Sequence, residues 1–210
     1  MKDSTRIKKI LRTLISLYPE VETQLVHKTP FQLLISTILS AQCTDRQVNA
    51  VTPKLFKKYS SPSKLAQAKL NEIEQIIYST GFYKNKAKHL KNCSRVLLEK
   101  YDGNVPDALS ELVKLPGVGR KTANVVLGAS FNIPAMVVDT HVARIAKRLD
   151  LTNHKDPVKI EFDLEKTIPE KEWNDFSLRL IYFGRAICTA RKPGCPKCPL
   201  NNICHQVKPC

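Results

Sequence analysis

The sequence is poor in acidic residues and has no long apolar run, and these absences argue against several classes of protein. Asp and Glu number 19 against 34 Lys and Arg. No apolar run approaches the ~20 residues of a membrane-spanning helix. The N-terminus alternates basic with apolar residues, unlike the apolar core of a signal peptide. We therefore expect a cytosolic protein whose seven cysteines are metal ligands or free thiols rather than disulfides.

The excess of basic residues indicates a polyanionic partner. The formal net charge is +15 in a chain of 210 residues, and the isoelectric point is near 9.6. Nucleic acid is the partner that such a charge favours most. A membrane surface is the rival partner, but the chain has no cationic amphipathic helix with exposed aromatic residues. A chain of this length buries a good core as one domain or as two small ones.

Helical periodicity runs through nearly the whole chain. Ile7, Ile10 and Leu14 recur at helical spacing, with basic residues on the other side. Capping signals predict further helix starts at Thr29, Thr44 or Asp45, Asp107 and Asp156. Only residues 136–138 resemble a strand, and three residues without a partner do not form a sheet. The sequence therefore predicts an all-α fold.

A glycine turn precedes one of these helices. Gly117 and Gly119 bracket a valine, and a helical run carrying Lys121 follows at once. Glycine permits positive φ and lets another backbone come close. The start of the next helix presents unpaired N–H groups, which suit a phosphate. A tight turn without a ligand is the alternative, and Lys121 alone is also consistent with a solvated lysine or a phosphate contact.

An aspartate, Asp139, stands immediately before a second helical run. Val142, Ile145 and Leu149 share one face of that helix. Asp139 is therefore predicted to be its N-cap, and the helix dipole stabilises a carboxylate at that position. The cap is compatible with a chemical role for the same residue.

Cysteines near the C-terminus form the most specific pattern: Cys188, Cys195, Cys198 and Cys204. Their intervals bring four thiolates into a compact tetrahedral set, which suits zinc or an iron–sulfur cluster. Zinc sites usually pair two Cys-x-x-Cys knuckles. Only one knuckle is present here, so the spacing favours a cluster but leaves zinc and a disulfide pair open.

Residues outside the four-cysteine set have simpler predicted roles. A bound metal would fix both ends of the loop that carries Arg191 and Lys192, which makes this basic loop a candidate phosphate contact. The remaining cysteines are predicted to be ordinary thiols: Cys43, Cys93 and Cys210.

Four motifs together resemble the endonuclease III family of helix-hairpin-helix DNA glycosylases, which act on oxidised pyrimidines. They are LSAQCTD, LPGVGRKTA, VDTH and the terminal cysteine spacing, and the resemblance covers essentially the whole chain. It implies an all-helical fold in two lobes. Residues 22–133 are expected to form a helical barrel domain with the helix-hairpin-helix near 109–128. Residues 1–21 with 134–210 are expected to form a discontinuous domain holding a [4Fe–4S] cluster, so the resemblance favours a cluster over zinc.

The resemblance also implies two catalytic residues, because Lys121 matches the family's catalytic lysine and Asp139 its catalytic aspartate. Breaking an N-glycosidic bond builds positive charge at C1′ of the sugar, which a nearby carboxylate stabilises. A neutral lysine amine attacks C1′, displaces the base and forms a Schiff base with the opened sugar. Proton abstraction at C2′ then drives β-elimination of the 3′ phosphate. We therefore expect a bifunctional DNA glycosylase and abasic-site lyase.

A stacked base has to be flipped out of the duplex before it can react. The resemblance implies that Gln42 fills the vacated space and that Phe82 is an apolar wedge. The family usually has leucine at the wedge, and phenylalanine also unstacks base steps. The alternative for Phe82 is a simple packing role. The alternative for His141 is a surface position without a function. The other predicted DNA contacts are Gly117, Gly119, Arg120, His141, Arg191 and Lys192.

The expected partner is double-stranded DNA with a damaged pyrimidine or an abasic site, in the cytoplasm with the nucleoid, and a monomer is the default. An adenine glycosylase of the same superfamily is an alternative, but it lacks a lysine at the position of Lys121 and carries a further C-terminal domain. A non-catalytic DNA-binding module is a second alternative, although it has no use for Asp139. A metal-dependent nuclease needs clustered carboxylates, which we do not find near the hairpin.

Overall fold

A computed structural model describes residues 4–204 of the chain. Within that range the regular elements are helices, and no strand occurs. The α-helices are α1 (Ser4–Leu17), α2 (Pro30–Leu39), α3 (Asp45–Lys58), α4 (Pro62–Gln67), α5 (Leu70–Ile77), α6 (Tyr83–Tyr101), α7 (Leu109–Leu112), α8 (Arg120–Phe131), α9 (Thr140–Arg148), α10 (Pro157–Glu165) and α11 (Trp173–Ala186). Short 3₁₀ turns cover Tyr78–Thr80, Glu170–Glu172, Cys195–Lys197 and Asn201–Ile203. The predicted all-α fold class is confirmed.

The chain divides into two compact units. One joins Met1–Glu22 to Pro134–Cys210, and the other is Thr23–Ile133. We refer to them as the discontinuous unit and the continuous unit. None of the described helices is long and apolar enough to cross a membrane. Cys210, predicted to be an ordinary thiol, lies outside the described residues.

The core of the discontinuous unit is built around α11, which packs against α9 and α1. Phe176, Leu180 and Phe183 are almost completely buried along one face of α11. Burial of an aromatic or leucine side chain contributes about 1.5–3 kcal/mol. α11 therefore fixes the position of α9. It also fixes the start of the cysteine-containing segment that follows α11.

The continuous unit is organised by α2 and α6. Eight of the ten residues of α2 are buried, from Phe31 to Leu39 with Gln32 as the exception inside that range. α2 packs against α8, while the long helix α6 packs against α4 and α5. Since α8 follows the glycine turn, the most buried helix of the unit supports the turn through α8.

Most of the predicted helix starts are correct. The side chains of Thr29, Thr44 and Asp156 each accept a hydrogen bond from a backbone N–H at the start of α2, α3 and α10. The prediction at Asp107 is wrong: α7 begins at Leu109, and its N-cap, Ala108, makes no side-chain cap bond. α7 has only four residues, so tertiary packing decides where it starts.

Candidate active site and cysteine centre

The glycine turn packs tightly against α6. Leu115 and Val118 are buried, and the Val118 N–H donates to the Leu115 carbonyl at 3.0 Å. Gly117 has φ +80°, and a Cβ added there would lie 2.8 Å from Cβ of His89. Only glycine meets both conditions without strain. The turn is therefore a built feature of the continuous unit.

Lys121 is the second residue of α8 and is exposed. Gly119, the N-cap, is extended, and a Cβ added there would meet nothing within 4 Å. One turn further on, α8 buries Ala123 and Asn124. The lysine thus stands at the solvent-facing start of a firmly packed helix, beside N–H groups that have no intrahelical acceptor.

Asp139 is the N-cap of α9, as predicted. Its Oδ1 accepts hydrogen bonds from the backbone N–H groups of His141 at 2.7 Å and Val142 at 2.8 Å. The preceding residues 135–138 are buried, and the Val137 N–H donates to Oγ of Ser177 at 3.0 Å. A side chain of α11 thus replaces the partner strand that this segment lacks. Packing on both sides fixes the carboxylate.

His141 lies against α11. A Cβ added at Gly184 would come within 2.8 Å of Nδ1 of His141, so glycine is what allows α9 to approach α11 here. Nη2 of Arg144 lies 3.1 Å from the same Nδ1 and donates to the carbonyls of Gly184 and Cys188, at 3.1 and 3.0 Å. Arg144 therefore links the helix that starts at Asp139 to the first cysteine of the set. Nothing in the local sequence around Arg144 indicates this link.

All four predicted ligand cysteines line one cavity of about 140 Å³. The other walls include Ile145, Leu149, Phe183 and Leu200. Burial raises the pKa of the Cys198 thiol, a backbone hydrogen bond opposes that shift, and the three neighbouring thiols add to it. The six cysteines within residues 4–204 form no disulfide.

The four cysteines line a common cavity but are not clustered as a ready-made metal site. Among the described residues, no three His, Cys, Asp or Glu side chains are close enough to hold a metal ion. A single tetrahedral zinc with Zn–S bonds of about 2.3 Å would draw the sulfurs to within about 3.8 Å of each other. Four thiols that line one largely apolar cavity are a donor set whose chemistry suits zinc or an iron–sulfur cluster.

Arg148 organises the basic loop that follows Cys188. It donates from Nη1 to Sγ of Cys188 at 3.1 Å and to the Thr189 carbonyl at 2.8 Å, and from Nη2 to the Ala190 carbonyl at 3.1 Å. Arg191 and Lys192 are exposed on the same loop. A fixed loop thus presents both cations to solvent. Sequence analysis missed Arg148, whose only signal was a cation in the last turn of α9.

Gln42 and Phe82 share an unusual backbone conformation. Five described non-glycine residues have positive φ, and three of them are Asp or Asn: Asp102, Asn132 and Asp150. The other two are Gln42 at +52° and Phe82 at +49°. A left-handed conformation costs an ordinary residue about 1–2 kcal/mol. Phe82 is also 64% exposed, although it is large and apolar, and such strain is typical of functional positions.

The two units divide the predicted site residues between them. The continuous unit contains Gln42, Phe82, Gly117, Gly119, Arg120 and Lys121. The discontinuous unit contains Asp139, His141, Arg191, Lys192 and the four ligand cysteines. Within the discontinuous unit, α9 connects Asp139 at its start to the cysteine cavity at its end, through Arg144 and Arg148.

Comparisons with known proteins find relatives that match nearly the whole chain. The family described as "HhH-GPD superfamily base excision DNA repair protein" matches residues 35–170. Endonuclease III of Synechocystis sp. is 52% identical over 97% of this chain and 93% of that protein. A solved non-covalent endonuclease III–DNA complex is 46% identical, with a TM-score of 0.93 over 98% of this chain and 96% of that chain. A trapped endonuclease III–DNA covalent intermediate matches at 46% identity and a TM-score of 0.93, over 98% and 97%.

The helix-hairpin-helix, the capped aspartate and the family match define a base excision DNA repair protein of the HhH-GPD superfamily. Within that superfamily the chain belongs to the endonuclease III family. The resemblance found in the sequence is thereby confirmed.

Proposed function

We propose that the protein removes oxidised pyrimidines from double-stranded DNA and then cleaves the abasic strand. It is a DNA glycosylase and abasic-site lyase of base excision repair. The observation that carries the proposal is the exposed lysine at the start of α8, directly after the glycine turn, in a chain of the endonuclease III family. The adenine glycosylase of the same superfamily lacks a lysine at this position.

The chemistry is assigned to Lys121 and Asp139. The Lys121 amine attacks C1′ as the bond from C1′ to the base breaks, and the base leaves with a proton given up by the amine. Asp139 stabilises the positive charge that develops on the sugar. Both cap bonds of Asp139 use Oδ1, which leaves Oδ2 for the sugar. The sugar ring opens to a Schiff base on Lys121, loss of a C2′ proton expels the 3′ phosphate, and hydrolysis of the Schiff base frees the lysine.

DNA contacts are assigned to both units. The turn at Gly117 and Gly119, with Arg120, binds a backbone phosphate at the start of α8. Arg191 and Lys192 bind phosphate from their fixed loop. Because Nδ1 of His141 already faces Arg144, a DNA contact by His141 uses Nε2. Gln42 and Phe82 enter the duplex and replace the flipped nucleotide.

The four ligand cysteines are assigned to a [4Fe–4S] cluster. Cys188, Cys195, Cys198 and Cys204 would hold this group, and their bonds to iron would fix the loop that carries Arg191 and Lys192. Purified protein should contain about four irons per chain and no zinc. Cys198→Ser should lose iron, whereas Cys43→Ser should retain it. Zinc in place of iron would contradict the assignment.

The two compact units support a division into a helical barrel domain over residues 22–133 and a cluster domain over 1–21 with 134–210. We expect a monomer, which sedimentation equilibrium should report as the chain mass of 23.7 kDa. A fluorescent fusion should concentrate over the nucleoid of a bacterial cytoplasm. A dimer mass or a uniform cytoplasmic signal would count against these two assignments.

Borohydride trapping tests the central proposal. The substrate is a duplex with one oxidised pyrimidine, and reduction of a Schiff base gives a covalent protein–DNA adduct on a denaturing gel. The wild type should form the adduct and Lys121→Ala should not, while duplex binding persists because one cation among many is lost. Lys64→Ala is the matched control, since Lys64 is also an exposed lysine in a first helical turn. It should trap like the wild type.

The other outcomes separate the alternatives. Base release without any adduct would indicate a monofunctional glycosylase that uses Asp139 and water. Binding without base release or adduct would indicate a non-catalytic DNA-binding module. An adduct with Lys121→Ala equal to that of the wild type would place the nucleophile elsewhere.

A further inference from the structure

One buried lysine holds both sides of the turn that presents Phe82. The backbone N–H of Lys86 donates to the Phe82 carbonyl at 3.0 Å. Its side-chain Nζ reaches back and donates to the Thr80 carbonyl at 2.8 Å. The turn between these two carbonyls contains Gly81, at φ +68° and ψ 157°, and Phe82 at φ +49°. Lys86 therefore spans both positive-φ residues of this turn, of which Phe82 is the strained one.

Lys86 is unlike the other lysines on this stretch of α6. It is only 4% exposed, whereas its neighbours Lys84 and Lys88 are exposed. A buried ammonium cannot act as one more phosphate contact. Burying a cation is unfavourable unless hydrogen bonds compensate, and here the carbonyl at the end of the 3₁₀ turn provides that compensation. The placement indicates a structural task at this turn.

The same lysine lies close to the loop that presents Gln42. Burial lowers the pKa of Lys86, and the electrostatic interaction with Cys43 opposes that shift. Cys43 is the residue next to Gln42. A hydrogen bond joins elements next to these segments: Nε2 of Gln47, in the first turn of α3, donates to Oγ of Ser79 in the 3₁₀ turn at 2.6 Å. The helix that follows the Gln42 loop is thus bonded to the 3₁₀ turn that precedes Phe82, inside the continuous unit.

We propose that Lys86 is a positioning residue that holds Phe82, near the Gln42 loop, in a preformed conformation for entry into the duplex. The inference deepens the proposed function and rests on it, because it takes Phe82 and Gln42 as the residues that replace the flipped nucleotide. Both residues are strained, so each would relax to a commoner conformation if its surroundings did not fix it. A side chain fixed in advance loses little conformational freedom on binding, and a loosened one extrudes the base less often.

The test compares two reactions of the same enzyme. In Lys86→Met the donor is lost while most of the side-chain volume remains. Single-turnover base release from a duplex with an oxidised pyrimidine should fall about tenfold or more, in line with the cost of small misplacements. Strand cleavage of a preformed abasic site should fall less than about threefold, because no stacked base has to be extruded. The salt dependence of duplex binding should be unchanged, since Lys86 is buried.

Lys91→Met is the matched control. Lys91 is on the same helix, and its Nζ donates to the Ala68 carbonyl at the same 2.8 Å, away from the Phe82 turn. This variant should keep both rates near those of the wild type. Lys86→Arg keeps a donor and should recover part of base release. It also serves as the second variant if Lys86→Met does not fold.

A double-mutant cycle with Phe82→Ala distinguishes a positioning role of Lys86 from a merely structural one, because only the positioning role couples the two substitutions. If Lys86 acts through Phe82, the double variant Lys86→Met with Phe82→Ala should release base only a little more slowly than Phe82→Ala alone. Lys86→Arg can replace Lys86→Met in this comparison. Losses that multiply in full would overturn the inference, as would equal losses in both reactions. If the wild type releases no base at all, the proposed function fails. If the wild type is active and Lys86→Met matches it in both reactions, only the inference fails.

Discussion

Replacing Gly117 by alanine should destabilise the fold, because the added methyl group meets two obstacles at once. At φ +80° an L residue costs about 1–2 kcal/mol relative to its ordinary conformations. The new Cβ would also lie 2.8 Å from Cβ of His89, 3.0 Å from its Cγ and 3.1 Å from its Nδ1. The nearest of these atoms is attached directly to the backbone of α6, so a rotamer change of His89 cannot move it away.

The size of the effect follows from these terms. Overpacking of this kind costs about 1–3 kcal/mol, and the lower entropy of the unfolded alanine chain returns about 0.4–1 kcal/mol. The net loss in the free energy of unfolding is then about 1–4.6 kcal/mol. With a urea slope of about 2 kcal/mol per molar, the unfolding midpoint should fall by about 0.5–2.3 M.

Gly119→Ala is a matched control two residues away. Gly119 has negative φ, and its added Cβ would meet nothing within 4 Å, so the free energy of unfolding of this variant should stay within about 0.5 kcal/mol of the wild type. Its duplex affinity should fall instead, because the methyl group stands where a phosphate approaches the start of α8. Urea unfolding followed by circular dichroism measures the first property, and fluorescence anisotropy with labelled duplex measures the second. Equal stability of the two variants would refute the reasoning.

Two further predictions concern charge and burial. Arg191→Ala with Lys192→Ala should weaken duplex binding broadly and flatten its dependence on log salt by about 1.8, whereas the charge-matched control Lys155→Ala with Lys159→Ala should leave the slope unchanged. Burial raises the pKa of Cys93 to about 12, so an alkylating reagent should modify this thiol only after unfolding. Between about pH 9 and pH 12 the unfolded thiol loses its proton while the folded thiol keeps it, so stability should fall with rising pH, and Cys93→Ala should lack that component. Rapid alkylation of Cys93 in the folded protein would contradict the burial.

Local patterns predicted the parts of this fold that local physics determines. Helical periodicity placed the helices, and hydroxyl or carboxyl caps placed several starts, as at Thr29 and Asp156. The glycine turn was visible because Gly117 needs positive φ. The cap at Asp107 failed because α7 is a single turn whose start depends on its neighbours. Residues 136–138, which resemble a strand in sequence, form no strand in the structure, and the α11 side chain that hydrogen-bonds Val137 was not predicted.

Contacts between residues far apart in the sequence were not predictable in the same way. Arg144 and Arg148 reach carbonyls and a thiol about forty residues away, and nothing in the local sequence distinguishes them from the other cations of a basic chain. The role of Gly184 was not predictable either, because this glycine lets α9 come close to α11 only in the folded unit. These residues connect Asp139 to the cysteine centre, so the link between the two predicted sites is a tertiary property.

The least predictable residues are those that hold a strained conformation in place. Gln42 and Phe82 break the rule that Asp, Asn and Gly occupy left-handed positions, and a local reading of the sequence would assign them ordinary backbone. Proteins depart from such local rules mainly at functional positions. The unusual conformation persists only when neighbouring groups fix it. Here one fixing group is a lysine that composition counts among the cations available for DNA, although its ammonium is buried against the Thr80 carbonyl. Net charge therefore overstates the number of cations that can bind phosphate, because at least one of them, Lys86, instead fixes the turn that presents Phe82.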